Sequence, residues 1–187
     1  MSQLLFTPND SPTIGVEIEL QLVDAETMAL ANRIEDVLHA LPPDLRTAIK
    51  PELMQSYLEI NTGVCSTVRE AGADLKEKLK LVEAAAGSLG LHLFWAGSHP
   101  FSSWRDQKVT KDDRYHRLVE LMQDVARRLV TFGLHVHVGV ETGDKAIMVC
   151  ERMMKYLPLL LSLSSNSPFW EGRNTGLHSN RSKIMEG

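Results

Sequence analysis

The sequence predicts an α+β fold, a sheet with helices packed on one face. Three observations carry that expectation. Residues 12–23, 56–61 and 131–140 alternate apolar and polar side chains, the period of a strand with one buried face. Residues 67–89 instead place Leu75, Leu79, Val82 and Ala86 at three- and four-residue spacing, a core-facing stripe along a helix. Helical stretches are interleaved with the strands along the whole chain.

In order, the pattern predicts a strand over 12–23, a helix over 32–41, and short strands over 46–50 and 56–61. A long helix follows over 67–89, with Ser66 or Thr67 as N-cap, Glu70 in its first turn and a stop near Gly90. A strand over 91–97 leads into Trp95-Ala96-Gly97-Ser98-His99-Pro100-Phe101 and Trp104, which read as a surface loop, with a mobile lid as the alternative. A helix over 112–129, a strand over 131–140, a helix over 143–164 and an arginine-bearing loop complete the chain. No repeat or low-complexity tract interrupts it, so residues 1–187 read as one domain, long enough for a sizeable core.

The polar faces of these strands carry the chemistry. On the first, Glu17, Glu19 and Gln21 share one side, against Val16, Ile18, Leu20 and Leu22 on the other. Carboxylates about 7 Å apart on one strand face repel unless a cation lies between them, which suits Mg²⁺ or Mn²⁺. On residues 56–61, Tyr57, Glu59 and Asn61 alternate against Leu58 and Ile60. A flat strand would point Glu52 and Glu59 to opposite faces, so both reach one site only if the chain turns between them, and Pro51 marks an irregular start. On residues 131–140, His135 and His137 share a face, with Leu134, Val136 and Val138 behind them in the core. Paired histidines suit zinc, iron or magnesium. In the last loop, Arg173 and Arg181 are anchors for an anionic substrate, since the guanidinium fork matches carboxylate and phosphate.

Composition narrows the partners. With 43% hydrophobic and 24% charged residues the chain reads as soluble and globular. Its net charge of −4 offers nucleic acid or acidic membrane no overall attraction. The run Leu157-Pro158-Leu159-Leu160-Leu161-Ser162-Leu163 is too short to span a bilayer. Cys65 and Cys150 are its two cysteines, and no secretory segment is evident, so the expectation is reduced thiols in a cytoplasm. Neither a Gly-x-x-x-x-Gly-Lys-Ser/Thr loop nor a Gly-x-Gly-x-x-Gly fingerprint occurs.

Four segments together resemble the glutamate–cysteine ligase family, in its bacterial type-2 branch of carboxylate–amine ligases. They are Gly15-Val16-Glu17-Ile18-Glu19-Leu20-Gln21-Leu22-Val23-Asp24, Glu59-Ile60-Asn61-Thr62-Gly63-Val64-Cys65, Gly133-Leu134-His135-Val136-His137-Val138-Gly139 and Asn166-Ser167-Pro168-Phe169-Trp170-Glu171-Gly172-Arg173-Asn174-Thr175-Gly176. Each is weak alone; the ordered set is specific.

The resemblance implies a glutamine-synthetase- or glutamate–cysteine-ligase-like fold, a curved, largely antiparallel sheet. It implies an ATP-dependent ligase of the EC 6.3 type, in which ATP phosphorylates the γ-carboxylate of glutamate and a cysteine-like amine attacks the acyl phosphate. By position, Glu17 and Glu19 match the family's first acidic pair and Glu52 and Glu59 its second, as ligands of Mg²⁺ or Mn²⁺. His135 matches the histidine at the ATP–metal edge, so Glu17, Glu19 and His135 become the catalytic candidates. Arg181 matches a carboxylate-holding arginine, and Arg173 and His137 join it as substrate-binding candidates.

Family members are about twice this length. The resemblance therefore implies that residues 1–187 are the N-terminal portion of a catalytic core, inactive alone and prone to form homo-oligomers. The rival readings are a non-catalytic metal- or nucleotide-binding half, and a metal hydrolase using His135 and His137 with Glu19 or Glu59 as third ligand.

Overall fold

The structure is a computed structural model and describes residues 6–184. Its centre is β1 (Thr13–Asp24), which pairs antiparallel with every neighbour it has in the sheet. On one side lies β3 (Tyr57–Asn61), itself flanked by β2 (Ile49–Pro51). On the other side β1 is long enough to serve two strands in succession. Its first half pairs with β5 (Leu134–Gly139) and its last four residues with β4 (Leu91–Phe94). The predicted α+β fold with an antiparallel sheet is the one observed.

Helices α1 (Ile34–Ala40) and α2 (Val68–Ser88) cover one face. Leu20, Leu22, Leu58 and Ile60 are fully buried there, against Ile34, Val37, Val82 and Ala86. Helix α2 keeps its predicted bounds for the predicted reasons. The Thr67 side chain accepts the Glu70 N–H at 3.2 Å, the Glu70 carboxylate accepts the Ser66 N–H at 2.8 Å, and Gly90 follows with φ of 71°. A second cluster lies on the opposite face, where Tyr57 and Phe132 meet Tyr115 and Val119 of α3 (Asp113–Met122) and Ala126 of α4 (Asp124–Arg127).

Several elements differ from their predicted form. The strand expected over 46–50 is a 3₁₀ turn, Pro43–Thr47, before the short β2; Pro42 and Pro43 fix φ but leave no N–H for a ladder. The helix expected over 112–129 breaks at Gln123, whose φ is 51°. The helix expected over 143–164 divides into α5 (Gly143–Met153), a 3₁₀ turn at Met154–Tyr156 and α6 (Leu157–Leu163). Pro158 has no N–H to donate to the Met154 carbonyl, so the α ladder fails there. The strand expected over 91–97 stops at Phe94.

The segment after β4 is a packed strap rather than a surface loop. His99 is 3% exposed and Trp104 8%. The His99 Nδ1 accepts the Ser102 N–H at 3.0 Å, and its Nε2 faces the Met28 carbonyl at 3.0 Å. The final loop contains a hairpin of β6 (Phe169–Trp170) and β7 (Arg173–Asn174), then α7 (Arg181–Ile184).

The largest correction concerns β5. Leu134, Val136 and Val138 were expected in the core, yet they are 61%, 56% and 59% exposed. Alternation identified their shared face correctly; nothing among the described residues covers it. Among those residues, no helix is long and apolar enough to cross a membrane.

Candidate functional site

Strand register assembles the site. Antiparallel pairing sets Glu19 directly across from Glu59 and Glu17 across from His135, with His137 opposite Gly15. Paired residues project to the same face, so Glu17, Glu19, Glu59, His135 and His137 share the polar side of the sheet. Glu52 arrives from the turn between β2 and β3, where the Met54–Val109 bridge and the Tyr115 hydroxyl hold it. That turn removes the parity problem in the spacing of Glu52 and Glu59.

Each carboxylate has a distinct setting. Glu17 Oε2 lies 3.0 Å from His137 Nε2 and 3.2 Å from His135 Nδ1, and these contacts, the one with His137 foremost, lower its pKa. Glu19 accepts the Gly133 N–H at 2.6 Å, but burial raises its pKa, and Glu52 and Glu59 add repulsion. Glu52 is raised as well, first by burial and then by Glu59, although the Tyr115 hydroxyl donates to it at 3.1 Å. Glu59 is 8% exposed and accepts from the Asn61 side-chain amide at 2.6 Å. Among the described residues none of Glu19, Glu52 and Glu59 forms an ion pair. Three crowded carboxylates without a cation are costly, and an oxygen-ligated divalent ion offsets that cost. The donor set thus fits Mg²⁺ or Mn²⁺.

Beside these carboxylates opens a cavity of about 520 Å³, lined by Glu19, Glu52, Tyr115, His135 and Arg181 with an apolar wall that includes Phe132. Arg181 has no carboxylate partner among the described residues. Its Nη1 donates to the Phe132 carbonyl at 2.6 Å. One anion-binding group facing two carboxylates can hold an acidic substrate beside a metal.

The other candidates lie elsewhere. Arg173 sits exposed in the β6–β7 hairpin and does not line the cavity. His137 lines a separate cleft with Gly15, Gly63 and Gly139. Glu17, His135 and His137 form a compact triad whose ligand atoms lie within 4.8 Å of one another. The third group beside the histidines is therefore Glu17, in place of the expected Glu19 or Glu59. Both cysteines are free, Cys65 buried and Cys150 exposed.

Tyr115 was missed at the sequence level. Its place on the buried stripe of α3, one turn before Val119, made it look like plain core. The usable signal was its hydroxyl, which needs a partner when buried.

The family described as Glutamate-cysteine ligase family 2 (GCS2) matches residues 13–187. A Gloeobacter violaceus protein named "Putative glutamate--cysteine ligase 2" is 43% identical over 183 residues, 97% of this chain and 49% of its own. A Rubrobacter xylanophilus protein named "Putative glutamate--cysteine ligase 2-1" is 47% identical over 178 residues, 95% of this chain and 47% of its own. The chain thus spans about half the length of these relatives. The fold is similar to a bifunctional glutathione synthetase from Pasteurella multocida, with a TM-score of 0.63 and 15% identity over 85% of this chain and 24% of that one. It is also similar to a glutamate–cysteine ligase from Francisella tularensis in complex with AMP, with a TM-score of 0.55 and 10% identity over 79% of this chain and 30% of that one.

Proposed function

The chain belongs to glutamate-cysteine ligase family 2, and from that premise we propose that it forms the acid-binding part of an ATP-dependent carboxylate–amine ligase. The reaction joins the γ-carboxylate of glutamate to a cysteine-like amine through an acyl phosphate. The observation that carries this reading is the cluster of Glu19, Glu52 and Glu59, partly or fully buried and without an ion pair among the described residues, beside a cavity in which Arg181 has no acidic partner among those residues.

Glu17, Glu19, Glu52, Glu59 and His135 would hold Mg²⁺ or Mn²⁺. When bound, such ions supply positive charge against the phosphates of ATP and the transferring phosphoryl group. Arg181 binds a carboxylate of the acid substrate bidentately. The Gly133 N–H and the Tyr115 hydroxyl hold the Glu19 and Glu52 carboxylates in fixed orientations. Leu53, Leu118, Leu129 and Phe132 give the cavity an apolar wall, beside which the contacts of charged groups are strengthened. Glu17 turns the Nδ1 of His135 toward itself, leaving Nε2 beside Gly133 and Glu19 as a ligand or proton acceptor.

The test is a screen of ADP release with L-glutamate and a panel of amines, on this chain alone and mixed with the unmatched half of the Gloeobacter violaceus relative. Release that requires glutamate, an amine and the second half is expected; turnover with no carboxylic acid present would overturn the reading. A second reading rests on the triad of Glu17, His135 and His137, which suits a nitrogen-preferring metal and a hydrolase. Elemental analysis separates the two. Stoichiometric zinc favours the hydrolase, whereas Mg²⁺ binding that strengthens with ATP favours the ligase.

A further inference from the structure

Arg181 reaches the cavity only because the strap leaves room for it. Gly97 is buried where the strap passes between Phe132 and the final loop. Its carbonyl accepts the Phe132 N–H at 3.1 Å, and its N–H faces the Asn166 carbonyl at 3.4 Å. Ser98, next along, forms a bridge to Thr131 and donates its hydroxyl to the Phe169 carbonyl at 3.1 Å. His99 is fastened on both ring nitrogens. The strap is therefore tied down at three consecutive residues.

A Cβ on Gly97 would lie 2.8 Å from the Arg181 Cδ, 3.2 Å from its Nε and 2.7 Å from the Asn166 Oδ1. Real Cβ atoms do not approach that closely. The φ of Gly97 lies outside the left-handed region, so what the position requires is space, not conformational freedom. Arg181 is held at its root too, where its N–H donates at 3.2 Å to the hydroxyl of Ser167, itself 1% exposed. The arginine is thus fixed at its backbone, crosses Gly97 along its stem, and docks one guanidinium nitrogen on Phe132.

We propose that Gly97 is a positioning residue for substrate recognition: its bare Cα is the seat over which Arg181 extends, so that the remaining guanidinium donors meet the substrate carboxylate in the cavity. The inference rests on the ligase reading for the identity of the acid, and on geometry alone for the seat.

Two measurements test it. In the first, calorimetry follows L-glutamate and, separately, Mg²⁺ with a non-hydrolysable ATP analogue. Gly97→Ala is expected to weaken glutamate at least tenfold and to change the nucleotide less than twofold. Added to Arg181→Ala, whose side chain ends at Cβ and so lacks the Cδ and Nε that a Gly97 Cβ would meet, the same alanine is expected to cost clearly less than in the wild-type background. Equal glutamate affinity in Gly97→Ala and wild type, or equal losses for glutamate and nucleotide, would overturn the seat. In the second, ¹⁵N NMR of the Arg181 Nε–H in the unaltered chain is expected to report a rigid group. A mobile signal overturns the proposal even if Gly97→Ala does not fold. Arg181→Ala with unchanged glutamate affinity, or a wild type that binds no glutamate, refutes the ligase reading instead and leaves the NMR result to decide the seat.

Discussion

One apolar sheet face meets two fates in this molecule. Over the second half of β1 and over β3, it carries Leu20, Leu22, Leu58 and Ile60, all fully buried beneath α1 and α2. Over β5 the same face carries Leu134, Val136 and Val138, paired in register with Ile18, Val16 and Ile14, and all three are more than half exposed. Helices α5 and α6 repeat the contrast, for they contain no buried residue, and Ile147, Leu159 and Leu163 are 64%, 56% and 77% exposed. Strand alternation reports which side of a strand is apolar. It carries no information about what covers that side, which depends on partners elsewhere in the chain or outside it.

The largest effect that would break this comparison is thermodynamic. Leu58→Ala should destabilise the fold by about 2–5 kcal/mol, whereas Val136→Ala should change it by no more than about 0.5 kcal/mol. Denaturant unfolding measures both, and comparable losses would mean that β5 is covered in solution.

Next in size is self-association. An apolar surface of this extent is a liability for a solitary chain, so light scattering should detect oligomers or aggregates, and Leu134→Glu with Val136→Lys should shift the population toward monomer. A clean monomer of the unaltered chain that also turns over ATP with glutamate would end the view that this face awaits a cover.

A third prediction sharpens the polar side. Glu19→Gln should keep the fold, since its amide oxygen still accepts the Gly133 N–H, but lose much of the metal-dependent ATP binding. Unchanged Mg²⁺–ATP affinity in the folded variant removes Glu19 from the metal site.

The smallest effect is a pH dependence of opposite signs. Burial raises the pKa of Glu19 and Glu52, so between the unfolded value near 4.5 and the raised folded value the native state holds more protons than the unfolded one. Stability from these groups is therefore lost as pH rises through that window. Glu17 is lowered by its histidines, so its contribution is present above about 4.5 and lost as pH falls. Melting curves without metal should show the first trend, Mg²⁺ should flatten it, and Glu52→Gln should reduce it; a metal-free Tm that rises with pH across that window contradicts the assignment.

Much of this was legible from residue order. The strands of Glu17, Glu59 and His135 followed from alternation, and antiparallel pairing then brought their polar faces together as one. The bounds of α2 followed from Thr67, Glu70 and Gly90. What escaped depends on where the chain bends. Glu52 joins Glu59 only through the turn ahead of β3, whose path the spacing left open. Pro158 divides α5 from α6 although the leucines around it continue a helical run. Gly97 touches Arg181 across segments far apart in sequence, and a lone glycine near a strand end carries no mark of such a contact.

Among the described residues β5 pairs with β1 alone, and this has one more consequence, in hydrogen exchange. Along the first half of β1, Ile14 donates to the Cys65 carbonyl and Val16 to the Thr62 hydroxyl, both on the side away from β5, whereas Glu19 donates to Gly133 beside it. Pairing of β1 with β5 therefore runs through Gly15 and Glu17, opposite His137 and His135. The amides of His135 and His137 turn inward to the sheet, and those of Val136 and Val138 turn outward to solvent. Deuterium uptake along this strand should alternate slow and fast with a period of two, and slowing of Val136 and Val138 on adding another polypeptide would register that a new strand has joined the sheet.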